Sequence, residues 1–188
     1  MKNLSLIIAF ALIFGITFSA NAQSKTASHD VTVGIAKHSL IGISSVAPIT
    51  LTPDAPTTAG EGLKFDVEGA RNNSVWLNYS SIVGSGSNSI SVAMTGNELP
   101  AGVTIELVAA EDAGAGNGKV GQAHEGAIVL SNSSQELISN IKNCYTGTGS
   151  SAGHQLTYTL KMDNSGNNYE SLTSGNFTNT ITYTITDN

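Results

Sequence analysis

A single cysteine, Cys144, leaves the chain without the means for an internal disulfide. Rigidity must therefore come from buried apolar side chains and strand pairing. A lone thiol could act as a nucleophile or an intermolecular cross-link, but a small buried side chain is the better reading. The nearest histidine in sequence, His154, lies beyond the pliant stretch TGTGSSAG. Charge is equally scarce, at 12% of residues, and it is unbalanced: 8 basic groups against 14 acidic ones. A net charge of −6 repels phosphate backbones, which argues against nucleic acid as a partner. Aromatic residues make up 6% of the chain, so each one that can be placed carries weight.

Long apolar runs are absent except at the N-terminus. There Lys2 precedes LSLIIAFALIFGITFSA and the small-x-small triplet Ala20-Asn21-Ala22, the order of a secretory signal peptide. Residues 1–22 are expected to be removed, leaving a single domain over 23–188. The run is short for a spanning helix, and no later stretch is long enough, so no membrane span is expected after cleavage. Export to the cell surface, the medium or the periplasm follows from the leader.

What the sequence does contain is Thr, Ser, Gly and Asn arranged in short alternating runs. HDVTVGIAKHSLIGIS suggests two strands, with Val31, Val33 and Ile35 on one face of the first. APITLTP, LKFDVEG, SVWLNYSSIV, NSISVAM, GVTIELVAA, GAIVLS and HQLTYTLKM follow at roughly ten-residue spacing, with turn residues between them. The chain closes on FTNTITYTITDN, where Ile181, Tyr183 and Ile185 alternate with threonines. That strand is expected to face its apolar side inward and to offer a free edge to a neighbour. SSQELISNIK fits a helix capped by Ser134, and fits a strand equally well. No repeat is present. The series predicts one all-β, antiparallel sandwich.

Several motifs come close to a chemistry and miss it. EDAGAGNGKVGQ lacks the Gly and the Ser/Thr of a phosphate-cradling loop, since position 113 is Ala and Val120 follows Lys119; it reads as a mobile hairpin tip. DNSGNN lacks the Gly and the Glu of a calcium loop and reads as a solvated turn. His29, His38, His124 and His154 are too scattered for a zinc set. No nucleophile motif occurs. Catalytic residues, cofactors and metals are therefore not expected.

Two stretches carry a resemblance. ASHDVTVGIAKHSLIGISSVAPITLTP and NYESLTSGNFTNTITYTITDN resemble the first and last strands of secreted bacterial spore-coat-U-type and related fimbrial-subunit-like proteins. The resemblance implies an immunoglobulin-like sandwich built into assemblies by strand donation, with itself or related surface subunits as partners. By that analogy Val31, Val33 and Ile35 form the donor, the alternative being an ordinary first strand. The expected function is a non-enzymatic structural or adhesive subunit. A carbohydrate-binding module is the alternative, with Trp76 and Tyr79, joined by Tyr145 or Tyr158, as a stacking platform; the alternative fate of Trp76 is the core.

Overall fold

The computed structural model describes residues 25–186. Every strand lies within residues 35–186, and residues 25–34 contain none. The expected signal peptide falls outside the described residues. The strands are β1 (His38–Ile43), β2 (Arg71–Ile82), β3 (Asn88–Gly96), β4 (Val103–Asp112), β5 (Asn117–Gly118), β6 (Gln122–Ala123), β7 (Ile128–Val129), β8 (Gln135–Ile141), β9 (Cys144–Tyr145), β10 (His154–Met162) and β11 (Asn179–Ile185). Among the described residues the only helical turn is a short 3-10 turn at Glu68–Ala70. The fold is all-β, two antiparallel sheets packed as a sandwich.

The larger sheet has seven strands in the order β5-β9-β2-β10-β4-β7, with β1 also pairing β2. Leu77 is opposite Ile43 of β1 and His154 of β10, so those strands flank β2 on opposite sides. Farther along, Ser80 and Ser81 are opposite β1 and also Tyr145 and Cys144 of β9. One side of β2 is thus shared by β10 and then β9, while β1 runs along the other. The smaller sheet has four strands in the order β11-β3-β8-β6.

Alternation in the sequence sets the core. Val75, Leu77, Tyr79 and Ser81 of β2 are buried, as are Asn88, Ile90 and Val92 of β3 and Leu156, Tyr158 and Leu160 of β10. Leu107, Ile128, Leu137, Ile138 and Ile141 complete the interior. Each such aliphatic side chain contributes about 1.5–3 kcal/mol on burial. The segment 135–141 is a strand rather than a helix. It buries consecutive Leu137 and Ile138 because its pairing with β3 is irregular and Asn140 takes a positive φ of 56°.

Three sequence expectations need correction. His38–Ile43 is the only strand in HDVTVGIAKHSLIGIS; Val31, Val33 and Ile35 lie in no strand. APITLTP and LKFDVEG form no strands, only a bridge between Asp54 and Lys64. Their Pro and Gly neighbours interrupt the ladder that alternation alone would suggest. Finally, the Gly-rich stretch is no free hairpin tip. A Cβ on Gly116 would sit 1.7 Å from the Tyr145 carbonyl oxygen, and one on Gly118 2.2 Å from that of Asn143. These glycines let two backbones approach closely, and β5 pairs with β9 there.

Candidate functional site

The two sheets end differently on their two flanks. β5, β6 and β7 are two residues long, short edges of the kind that discourage association. β1 and β11 are six and seven residues long and lie beside one another. β11 pairs with β3 alone among the described residues.

Register shows which backbone groups of β11 are free. Thr186 N donates to Ser89 O and Asn97 N donates to Thr178 O, so even-numbered residues bond toward β3. Met94, opposite Ile181, sends its amide to Ser131 O instead. The main-chain groups of Ile181, Tyr183 and Ile185 therefore face away from β3, on the side where β11 pairs with no strand of the described residues. The same three residues turn half-buried side chains toward the core, while Thr180, Thr182 and Thr184 are exposed. The Tyr183 and Tyr158 hydroxyls are hydrogen-bonded across the sandwich. Burial pushes both phenols up in pKa, and their mutual bond partly offsets this for Tyr158.

Exposed apolar side chains recur along the sequence of the N-terminal part of the chain. Val31, Val33 and Ile35 are 75%, 80% and 81% exposed, an alternating apolar row that the described residues leave open to solvent. Leu40 of β1 is 66% exposed.

The expected aromatic platform divides. Trp76 and Tyr79 are three residues apart on β2, an odd spacing that sends them to opposite faces. Tyr79 and Tyr158 are buried in the core. Trp76 is half-buried on the outer face, not in the core. Tyr145, 55% exposed, is opposite Ser80, so it shares that outer face with Trp76, as does Leu40 across from the same serine. Between them, Asn78 holds the 147–153 loop, donating to Ala152 O at 2.6 Å and accepting from Gly149 N at 3.0 Å.

Inside, Tyr79 and the fully buried His154 stack with ring centroids 5.7 Å apart. The Tyr79 hydroxyl lies between His154 Nε2, at 2.8 Å, and the Val120 carbonyl. Ala110 O can only accept, so Nδ1, 2.8 Å away, carries the ring proton that faces it. Burial raises the Tyr79 phenol, with Cys144, Asp112 and Glu111 adding to the effect. Cys144 is itself buried, and burial followed by the Asp112 charge pushes its thiol up to about 11. A thiol so raised is a poor nucleophile at neutral pH. The network joins β2, β4, β10 and the segment before β6, and its Tyr79 and His154 side chains are buried.

On the surface, the Asp66 carboxylate bridges Arg71 and Lys161 and is held below its usual pKa, first by Lys161 and then by Arg71. Two backbone and side-chain bonds from Ser165 hold Asp163 low in the turn after β10. Among the described residues, no three His, Cys, Asp or Glu side chains group as a metal site. No helix of the described residues is long and apolar enough to cross a membrane. The parity that separates Trp76 from Tyr79 was readable in the sequence; the contact of Tyr145 with β2 was not, because β9 is only two residues long. Comparison with protein-family models, with curated proteins and with solved structures gives no match, so the reading of this edge and this face rests on the chain's own geometry.

Proposed function

We propose that this protein is a non-enzymatic structural or adhesive subunit, exported to the cell surface or beyond, that assembles by strand pairing along β11. The observation that carries this reading is the seven-residue edge strand on which Ile181, Tyr183 and Ile185 turn their main-chain groups away from β3, where no strand of the described residues pairs with them. A strand laid there gains ladder bonds and continues the half-covered apolar row beneath. The exposed alternation of Val31, Val33 and Ile35, from a second copy or a related subunit, supplies matching side chains. The resemblance read in both segments to spore-coat-U-type and fimbrial-subunit-like proteins points the same way in the sequence, as does the signal peptide expected at residues 1–22.

The test is the mass distribution of the mature chain against Ile181→Pro. That substitution removes an amide that makes no bond to β3, so the sheet keeps its ladder while the edge loses a donor. Association by the parent and a monomeric, folded variant are expected. An equally associated variant would move the contact elsewhere.

A second reading, carbohydrate binding, is favoured by the outer face that Trp76 and Tyr145 share. Exposed aromatic faces stack on the apolar faces of sugars. Binding to a glycan array that Tyr145→Ala abolishes would establish it, and an empty array for both proteins would dismiss it.

A further inference from the structure

We propose that Asn117 is a self-modification site, at which the amide of Gly118 displaces the side-chain nitrogen of Asn117 within the folded protein. Asn117 is the only asparagine in the sequence that is followed by glycine. The absence of a side chain at the following residue leaves the approach to the Asn117 side-chain carbon uncrowded. Gly118 cannot be exchanged here without a clash, since a Cβ would lie 2.2 Å from Asn143 O. The fold therefore requires, at this position, the residue that makes the preceding asparagine most reactive.

The geometry brings the two groups together. The Gly118 N–H donates a hydrogen bond of 2.6 Å to Asn117 Oδ1, which holds the nitrogen close to the Cγ bonded to that oxygen. The nitrogen is also not held by the sheet. Lys119 N donates to Asn143 O, and residues 117 and 118 are opposite Tyr145 and Cys144. By alternation the amide between them turns away from β9. β5 ends the order of the larger sheet, so no strand of the described residues pairs on that side, and both residues are exposed.

In the reaction, Gly118 N loses its proton to water or hydroxide and bonds to Cγ, and the Cγ–Nδ2 bond breaks. The side-chain nitrogen leaves as ammonia, and the ring that remains is a succinimide. Water then opens either carbonyl. One opening gives aspartate; the other gives isoaspartate, with an extra carbon in the main chain. No oxidant or metal takes part. Each event adds one negative charge to an already acidic chain. The isoaspartyl product also lengthens the main chain of β5 opposite Tyr145.

The experiment is ageing of the native mature chain in heavy-oxygen water at neutral and mildly alkaline pH, followed by peptide mapping. Isoaspartate and aspartate, both carrying label, are expected at position 117, faster at the higher pH and ahead of every other asparagine. Asn117→Gln, aged alongside, should stay unlabelled there. An intact Asn117 in the native chain, with conversion only after denaturation, would show that the fold protects the residue and would overturn the proposal. So would conversion led by another asparagine.

Discussion

The hydroxyl of Tyr183 on β11 is hydrogen-bonded to that of Tyr158 on β10, which ties the edge strand of the smaller sheet to the centre of the larger one. Such a bond fixes β11 from the inside, while its outer main-chain groups pair with no other strand of the described residues. Tyr183→Phe should cost about 1–3 kcal/mol, because the Tyr158 hydroxyl loses a buried partner. The double replacement with Tyr158→Phe should cost less than the sum of the single ones. Chemical denaturation of the four proteins checks this, and strict additivity would deny the coupling.

Tyr79 and Trp76 should separate sharply in the same assay. Tyr79→Phe leaves His154 Nε2 buried without its partner, at a cost of about 1–3 kcal/mol. Trp76→Phe alters only the outer face and should cost about 0.5 kcal/mol. Equal losses would place both rings in the core.

Cys144 should resist alkylation in the native state and react freely once unfolded. Its folded pKa of about 11 stands above the 9.0 of an ordinary thiol. The unfolded chain therefore releases this proton first as pH rises. The stability tied to the neutral thiol is complete below pH 9.0 and declines as pH climbs toward about 11. Cys144→Ala should lessen that alkaline decline. Rapid labelling of native protein at neutral pH would show an exposed thiol instead.

Asp66 should act in the opposite direction. Lys161 and Arg71 hold its folded pKa below 3.8, so the unfolded chain takes up the proton first as pH falls. The contribution is present above 3.8 and is lost as pH drops through the lowered folded value. Asp66→Asn should flatten that acid dependence. Because the group is exposed, the effect should also shrink in salt. An unchanged acid profile in the variant would exclude the bridge as its source.

Much of the sandwich is legible in the sequence because β2, β3, β10 and β11 are long enough for alternation to declare a face. Val75, Leu77 and Tyr79 point inward, as do Ile181, Tyr183 and Ile185, each at the even spacing a strand demands. The two-residue strands β5, β6, β7 and β9 have no such period, and they are held by partners distant in sequence. Val31, Val33 and Ile35 show the converse, since alternation permits a strand but does not supply a neighbour. The buried polar network was hidden as well. Tyr79 and His154 are 75 residues apart and meet only because β2 and β10 pair.

The most direct test of strand pairing along β11 is mass photometry of residues 23–188, with a synthetic peptide of residues 28–37 added in increasing amounts. Oligomers that dissolve as peptide fills the edge, together with a peptide that fails to bind Ile181→Pro, are the predicted result. A protein that is monomeric at every concentration, and whose β11 amides exchange at the same rate with and without peptide, would contradict the account.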